Sequence, residues 1–335
     1  MLRKIRIVFA TIFFIGITLL FLDITGATHA WLGWMAKVQF LPALMALNVG
    51  VIAVLVALTL VMGRVYCSVI CPLGVMQDIM SWLGGRGKKR RYRFSYSPAM
   101  TWLRVTVLVL FVLAIVFGIS SFVALLAPYS SYGRIVSSLF SPVYVRVNNL
   151  LAEIAEHFDS YAFYSREVWI RSASVFAVAA LTFVILFVLA WRNGRTYCNT
   201  VCPVGTVLGF LSRFSLLKIN IDSEKCNACG LCSRRCKAAC IDGMNHTVDY
   251  SRCVACFDCV DTCTHGAISY GLRRKSVKTV SEPEAGKADS SRRSFITVTA
   301  ALAGAAAMKA ADKTVDGGMA VILDKQIPER KTPIV

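Results

Sequence analysis

The sequence is short of charged residues. Asp, Glu, Lys and Arg together make up 17% of the 335 residues, whereas hydrophobic residues make up 56% and the mean hydropathy is +0.60. Soluble globular domains rarely combine so little charge with so much apolar surface. The composition therefore argues against an ordinary soluble protein and indicates a membrane protein.

Among the charged residues, the acidic ones are the less frequent. There are 19 of them against 37 Lys and Arg, which gives a net charge of +18. The excess is gathered in short basic runs, of which residues 88–93 are the densest. Basic runs beside apolar segments are typical of cytoplasmic loops near anionic lipid. We therefore expect a membrane partner and no nucleic acid.

Four apolar segments are long enough to cross a bilayer core, which takes ~20 residues. They are Ile5–Leu22, Leu41–Met62, Trp102–Leu125 and Ala173–Trp191. The first lacks a convincing cleavage site, so we interpret it as a span and not as a signal peptide. Lys and Arg lie at the N-terminus, in the loop 84–94 and directly after the fourth segment. This bias predicts that all three regions are cytoplasmic.

Two twelve-residue stretches are near copies of each other. "GRVYCSVICPLG" (Gly63–Gly74) and "GRTYCNTVCPVG" (Gly194–Gly205) share seven residues, and each follows a predicted span. The two halves thus repeat the order span, outer loop, span, motif and surface helix, in the same orientation. Such a repeat predicts a pseudo-two-fold axis along the membrane normal. The axis would bring together four cysteines, namely Cys67, Cys71, Cys198 and Cys202.

The repeated motif has a local chemistry. A proline follows the second cysteine of each copy and favours the first turn of a helix, so Cys71 and Cys202 are expected at N-cap positions. A thiol at a helix N-terminus beside an arginine (Arg64 or Arg195) is expected to have a lowered pKa. Four such cysteines could ligate a further iron–sulfur cluster or a soft metal such as copper, form redox-active disulfides, or be structural. The repetition of Arg and Tyr together with Cys favours a functional site.

The other nine of the thirteen cysteines lie between Cys226 and Cys263. This clustering suits metal binding in a reducing compartment better than a disulfide framework. Eight of them form two C-x2-C-x2-C-x3-C runs, which are Cys226, Cys229, Cys232 and Cys236, and Cys253, Cys256, Cys259 and Cys263. Four cysteines also suit structural zinc, but the doubled run makes zinc improbable.

The doubled run resembles the bacterial-type two-cluster ferredoxins, in which the fourth cysteine of each run ligates the other cluster. The resemblance implies two 4Fe-4S clusters. One would be held by Cys226, Cys229, Cys232 and Cys263, and the second by Cys253, Cys256, Cys259 and Cys236.

This chain departs from the ferredoxin pattern at three positions. The proline usual after each fourth cysteine is replaced by Lys237 and by Thr264. An additional cysteine, Cys240, aligns with Ala267 of the second half. Because a free cysteine behaves as a small hydrophobic residue, we interpret Cys240 as a packing residue and not as a ligand.

The combination of four spans, two Cys-x-x-x-Cys-Pro motifs and a double ferredoxin run resembles the NapH-type membrane polyferredoxins. NosR-type and CcoG-type proteins share parts of this plan. The resemblance implies an all-α membrane domain over 1–217, with four transmembrane helices arranged as two parallel hairpin repeats. A cytoplasmic α+β ferredoxin module over 218–272 would follow. Residues 273–335 would form a polar linker, an apolar segment resembling a twin-arginine signal, and a tail.

The resemblance also implies a function. Such a protein would pass electrons between the quinone pool and iron–sulfur or other redox partner proteins at the bacterial inner membrane, as part of a quinol dehydrogenase system. Either direction of electron flow is compatible with the sequence. The alternatives are a CcoG-like copper reductase or assembly factor and a NosR-like redox regulator. No catalytic residue and no quinone site are assigned by the sequence.

Overall fold

The computed structural model describes residues 1–22, 27–86, 94–157 and 173–272. The basic run 88–93, the end of the long outer loop and all of 273–335, with its twin-arginine-like segment, lie outside the described residues. Residues 1–273 form one compact unit.

Up to Ser212 the described chain is almost entirely helical. In chain order the helices are α1 Leu2–Leu22, α2 Ala27–Lys37, α3 Phe40–Met45, α4 Val49–Met62, α5 Val65–Val69, α6 Pro72–Gly84, α7 Thr101–Val116, α8 Ser120–Leu126, α9 Pro128–Ile135, α10 Ser141–His157, α11 Ala173–Asn193, α12 Thr196–Thr200 and α13 Pro203–Ser212. A π-helical turn, Val136–Phe140, joins α9 to α10.

Two of the four predicted spans are continuous helices of sufficient length. α1 and α11 each contain 21 residues and are apolar enough to cross a membrane. The other two segments differ from the prediction, because Leu41–Met62 is divided between α3 and α4, and Trp102–Leu125 between α7 and α8. The remaining apolar helices α4 and α7 have 14 and 16 residues. A four-span membrane domain therefore stays a prediction.

Each interruption has a local cause. Before α4, Leu47 has a φ of 51°, and the Asn48 side chain accepts a hydrogen bond from the Val51 N–H at 3.3 Å. This side-chain cap starts a new helix where the hydrophobic run alone predicts continuation. After α7, Gly118 has a φ of 73°, a left-handed conformation that commonly ends helices.

The cysteine-rich segment folds into two small antiparallel sheets and two short helices. β1 (Leu217–Ile221) pairs with β4 (Ile268–Leu272), with Leu217 opposite Leu272. β2 (Ile241–Asp242) pairs with β3 (Thr247–Val248). The helices α14 (Leu231–Arg235) and α15 (Asp258–Thr262) each end directly before the fourth cysteine of a run. The pairing of β1 with β4 thus brings the two ends of the cysteine-rich segment together.

This cysteine-rich module shares a hydrophobic core with the helices. The core extends from Ile17 in α1 through Leu208 in α13 to Ile268 in β4. At the end of α4, the Leu216 N–H donates to the Leu60 carbonyl at 2.8 Å, and the Tyr270 hydroxyl donates to the Met62 carbonyl at 3.0 Å. The ends of α4 and α11, where the repeated motifs begin, therefore lie against the module.

Candidate functional site

Each copy of the repeated motif begins where a long helix ends. Gly63 and Gly194 follow α4 and α11 with φ values of 79° and 71°. Only glycine adopts this left-handed conformation without strain, so it can stop the helix and turn the chain. In both copies the next residue is an arginine, and its side chain is fully buried.

The two arginines cross between the copies. The Nη2 of Arg64, in the first copy, donates to the carbonyl of Cys198 in the second copy at 3.2 Å. The Nη1 of Arg195, in the second copy, donates to the carbonyl of Cys67 in the first at 2.6 Å. The motif copies are thus held together by a reciprocal pair of hydrogen bonds.

The last glycine of each motif permits a close approach of backbone. A Cβ added at Gly74 would collide with the carbonyl oxygen of Cys67, and one added at Gly205 would collide with that of Cys198. Both carbonyls also accept the crossing arginine bonds, so any side chain at either glycine would displace them. The repeated glycine therefore has the same steric role in both copies.

Proline places the second cysteine of each copy at a helix start, as predicted. Cys71 and Cys202 are the N-cap residues of α6 and α13, and each is followed by proline in the first turn. The Sγ of Cys202 accepts a hydrogen bond from the Gly205 N–H at 3.4 Å. This N-cap prediction is confirmed.

The four motif cysteines are all buried and carry free thiols. Their exposed fractions are 3–4%. They lie near enough for a charge on one to act on the others, since Cys198 and Cys67 both affect the ionisation of Cys71. We name this group of Cys67, Cys71, Cys198 and Cys202 the motif site.

The predicted lowering of the thiol pKa values in the motif site is wrong. Burial raises the pKa of Cys71 and Cys202 well above the usual value, and raises that of Cys198 to about 11. Arg195 acts in the lowering direction on both Cys71 and Cys198, but desolvation is the larger effect. Without a bound group, these three thiols are therefore neutral near pH 7.

A buried ion network lies beside the motif site and is centred on Asp78 of α6. The Asp78 carboxylate accepts hydrogen bonds from Arg195 Nε at 2.8 Å and from Arg6 Nη1 at 2.9 Å, and Lys237 Nζ lies 3.6 Å away. Burial alone would raise the pKa of Asp78, but the three cations hold it well below the usual range. Helix α1, helix α6 and the second motif copy thus meet at one carboxylate.

Lys237 extends this network into the ferredoxin-like module. It stands where ferredoxins usually have proline, and its Nζ lies 2.9 Å from the carboxylate of Asp258. Arg3 binds the same carboxylate at 2.8 Å. The replacement of proline by lysine therefore has a structural reason, because the ammonium group joins the module to the helical part.

Two further buried arginines near the motif site, Arg64 and Arg104, form no salt bridge within the described residues, although the charge of Asp249 acts on Arg104. Arg64 donates to Asn199 Oδ1 at 2.9 Å and to the Ser251 carbonyl at 3.0 Å, while its Nη2 lies 3.9 Å from Cys67 Sγ. Arg104 donates to the Asn199 carbonyl and to Ser251 Oγ. Within the described parts of the chain, neither guanidinium has a carboxylate oxygen within 4.0 Å.

In the module, the four cysteines predicted to ligate one cluster line the same cavity. It encloses about 310 Å³ of space between atoms, part of it open to solvent. Its sulfur-bearing walls are Cys236, Cys253, Cys256 and Cys259, together with Cys240. The other walls are apolar side chains, those of Ile219, Ala238, Ile241, Val254 and Phe257. We name the first four cysteines the inner set.

The inner set fits a 4Fe-4S cluster by its donor chemistry. Such clusters are bound by four thiolates and are tuned by hydrogen bonds to sulfur. The Sγ of Cys236 receives a hydrogen bond from the Cys240 side chain and from the backbone N–H groups of Cys240, Ala238 and Ile241, and these lower its pKa to about 7. A thiolate is therefore favoured where the cluster would need one.

The remaining predicted ligands, which we name the outer set, are Cys226, Cys229, Cys232 and Cys263. Cys229 is exposed and the other three are partly exposed. Over the described residues, no three His, Cys, Asp or Glu side chains are grouped in a way that would hold a single metal ion.

Cys240 lies at the edge of the cavity of the inner set. It is 1% exposed, and its Sγ is 3.5 Å from that of Cys236. Its own pKa is raised well above the usual value, first by its hydrogen bond to Cys236. Cys240 therefore stays protonated and donates a hydrogen bond to Cys236. A protonated thiol in this position is compatible with a packing residue beside the ligands.

A family model described as a 4Fe-4S binding domain matches the chain twice, at residues 43–91 and 175–222. Among curated proteins, ferredoxin-type protein NapH of Escherichia coli is 25% identical over 70% of this chain and 71% of its own length. The chain is thus similar to the NapH-type 4Fe-4S polyferredoxins.

Two further relatives match the chain over shorter parts of their own length. The putative electron transport protein YccM of Escherichia coli is 25% identical over 67% of the chain and 55% of its own length. The methylamine utilization ferredoxin-type protein MauN of Paracoccus denitrificans is 27% identical over 62% and 57%. The chain thus spans little more than half of these two relatives. No solved structure matches it.

The two family matches fall on the two copies of the repeated motif. The first contains Cys67 and Cys71, and the second contains Cys198 and Cys202. Each match therefore holds only two cysteines. Neither match reaches the cysteine runs of the ferredoxin-like module.

Sequence reasoning missed the polar residues that join the two cysteine-rich regions. Asp78 and Asp258 carry no motif, and only their contacts in the fold show their role. Arg104 was missed for the same reason, and Asn199 was missed because it is not repeated, since the first motif copy has Ser68 at that position. Lys237 was the one available signal, since it breaks the ferredoxin pattern at a position where proline is expected.

Proposed function

We propose that this protein is an iron–sulfur electron carrier of the bacterial inner membrane, which passes electrons between the quinone pool and iron–sulfur redox partners. Its relatives are described as ferredoxin-type and electron transport proteins. Two helices of the described chain have the length and apolarity of membrane spans. An iron–sulfur module joined to such helices would connect a lipid-soluble donor to soluble acceptors.

The observation that carries the proposal is the cavity lined by the inner set. Cys236 comes from the first cysteine run, and Cys253, Cys256 and Cys259 come from the second. This is the crossed arrangement found in two-cluster ferredoxins. The inner set is accordingly proposed to bind one 4Fe-4S cluster and the outer set the other. When bound, each cluster would supply one-electron redox chemistry.

The two sets differ in their position relative to the helices. Arg64 of the first motif donates to the Ser251 carbonyl, two residues before Cys253. The charge of Arg195 acts on Cys256. The inner cluster would therefore face the helical part, and the exposed outer cluster would exchange electrons with a partner protein. The backbone N–H groups around Cys236 would stabilise the thiolate ligand in either redox state.

The same geometry supports a cytoplasmic position for the module. Arg3 and Arg6 belong to the predicted cytoplasmic N-terminus and contact Asp258 and Asp78. The N-terminal end of α1 and the module are thus on one side of the helices. With the positive-inside rule, that side is proposed to be the cytoplasm.

The test uses the purified full chain in detergent with a quinol analogue. Cluster reduction is followed by EPR, and we expect reduced 4Fe-4S signals to appear with the wild-type protein. Cys253→Ala should remove the inner signal, whereas Cys240→Ala, at a buried neighbouring cysteine, should retain it. If wild-type clusters can be reduced by dithionite but never by quinol, the quinone link is wrong.

A regulatory role is the second candidate. The regulatory protein NosR of Stutzerimonas stutzeri is 25% identical over 60% of this chain, although over only 23% of its own length. A regulator would hold both clusters without sustained electron transfer from quinol to an acceptor. Stoichiometric copper on the motif site, with no reduction by quinol, would instead indicate a CcoG-like copper protein.

A further inference from the structure

The region around the motif site has more buried positive than negative charge. Arg195 is matched by Asp78, but Arg64 and Arg104 have no carboxylate partner among the residues that the structure describes. Arg64 is fully buried and Arg104 is 6% exposed. Burying an unpaired charge is costly, so an environment of this kind requires an anion nearby. The motif thiols are close to Arg64, since its Nη2 lies 3.9 Å from Cys67 Sγ.

The motif site presents four thiols, which is the ligand type that binds iron–sulfur clusters. Each motif copy contributes two cysteines, and one sulfur in the second copy, Cys202 Sγ, already accepts a backbone N–H. α6 and α13, which have 13 and 10 residues, both begin at motif cysteines. The positive ends of these two helices would further stabilise negative charge on sulfur.

We propose that the motif site binds a third iron–sulfur cluster of the 4Fe-4S type, shared between the two motif copies and ligated by Cys67, Cys71, Cys198 and Cys202. The proposal builds on the electron-transfer function above but does not depend on the quinone link. It also explains how a 4Fe-4S binding family model can match twice with two cysteines each, since four thiolates become available only when both copies meet.

The charge balance supports a shared cluster. An oxidised 4Fe-4S core with four thiolates carries a net charge of about −2. Transfer of a preassembled oxidised 4Fe-4S core from a cluster donor would break four bonds between iron and the donor's ligands, form four Fe–S bonds to the motif cysteines and release four thiol protons, with no change in oxidation state. The resulting dianion would compensate the charges of Arg64 and Arg104. Neutral structural thiols would leave Arg64 without a carboxylate within 4.0 Å among the described residues, and Arg104 with only the more distant charge of Asp249.

Burial argues against redox-active disulfides at the same place. Thiol–disulfide exchange requires access of an attacking thiolate to sulfur, and catalytic cysteines are partly exposed. All four motif cysteines are only 3–4% exposed. A buried cluster needs no such access, because electrons can pass through the protein.

The shared cluster would lie next to the inner cluster. The charge on Arg64 acts on both Cys198 of the motif site and Cys253 of the inner set. The charge on Arg195 acts on both Cys198 and Cys256. Both arginines therefore stand between the two sets of ligands, and the motif site would relay electrons between the helices and the module.

The first measurement needs no variant. Anaerobically purified wild-type protein is examined by native mass spectrometry and by iron and acid-labile sulfide analysis. We expect about twelve irons and twelve sulfides per chain, from three clusters. About eight of each, with two ferredoxin-type EPR signals, would overturn the third cluster while leaving the proposed function intact. Wild-type protein with no iron–sulfur cluster in the ferredoxin-like module would instead overturn the proposed function.

The second measurement tests whether the cluster is shared. Cys67→Ser/Cys71→Ser and Cys198→Ser/Cys202→Ser should each lose about four irons, and the quadruple variant should lose no more than either. Ser68→Ala, at a buried residue of the first motif copy that carries no thiol, is the control and should retain full iron content. Additive losses would show separate centres in each copy. Unchanged iron in all variants, or copper or zinc in place of iron, would also overturn the proposal.

Discussion

The motif site and the ferredoxin-like module are two cysteine-rich regions built in opposite ways. In the module, all eight predicted ligands fall within 38 consecutive residues, Cys226–Cys263, and their exposure ranges from buried to exposed. In the motif site, Cys67 and Cys198 are 131 positions apart, and all four thiols are buried. Two short pairs of cysteines thus depend on the tertiary fold to become one site.

The two regions therefore differ in whether a redox partner could reach their cysteines. The module has one mostly buried and one partly exposed set of ligands, which suits a path from the interior to the surface. The motif site has no exposed member and is surrounded by arginines. It is therefore suited to internal electron transfer, whereas the outer set is suited to a docking partner.

The largest expected effect comes from breaking the ion network that joins the two regions. Asp78→Asn would leave Arg195 and Arg6 without their carboxylate, and we expect a loss of about 3–5 kcal/mol of stability. Thermal unfolding in detergent measures this. Asp222→Asn, at a surface pair with Lys225, is the control and should change stability by less than ~1 kcal/mol. Equal effects of the two variants would contradict a joining role for Asp78.

The Asp78 contribution should also depend on pH. Because the pKa of Asp78 is lower in the folded protein than in the unfolded chain, its stabilisation is present above the unfolded pKa and is lost as the pH falls toward the folded value. The stability difference between wild type and Asp78→Asn should thus be constant from pH 8 to about 5 and shrink below about 4. If the stability difference grew as the pH fell, the predicted direction of the Asp78 pKa shift would be wrong.

The next effect tests the symmetry of the motif site. Gly74→Ala and Gly205→Ala each place a Cβ against a cysteine carbonyl, and both should destabilise the protein by about 1–3 kcal/mol and lower the iron content. Gly33→Ala in α2 is a suitable control, since nothing lies within 4 Å of its added Cβ. If one motif variant were neutral and the other severe, the two copies would not be equivalent.

A smaller effect distinguishes Cys240 from the inner ligands. Cys240→Ala should retain full iron and sulfide content and lose about 1 kcal/mol of stability, because a buried sulfur is removed. Cys236→Ala, at the residue that Cys240 contacts, should lose about four irons. Cluster loss from Cys240→Ala would identify Cys240 as a ligand and overturn its interpretation as a packing residue.

The smallest effect is a difference in rate between the inner and outer sets. During partial removal of iron by a chelator, the outer set should become reactive to rapid alkylation first, because Cys229 is exposed whereas Cys256 and Cys259 are buried. Peptide mass spectrometry gives the order of labelling, and we expect a several-fold lead for the outer set. Simultaneous labelling of both sets would remove the distinction between them.

Much of the local structure was predictable because it depends on neighbouring residues. The N-cap positions of Cys71 and Cys202 followed from the prolines after them. The two long helices α1 and α11 followed from apolar runs. The interruptions at Asn48 and Gly118 were missed, because one side-chain cap or one left-handed residue can divide an apolar run without changing its hydrophobicity.

The sequence by itself determined the cysteine spacing of the module and the repetition of the motif, since both are properties of short segments. Only the tertiary structure decided how these segments act on each other. It brought Arg64 against Cys198 and Arg195 against Cys67, and it gathered three cations around Asp78. It also reversed the expected pKa shift of the motif thiols, because burial depends on distant parts of the chain and its desolvation cost exceeds the effect of a nearby arginine.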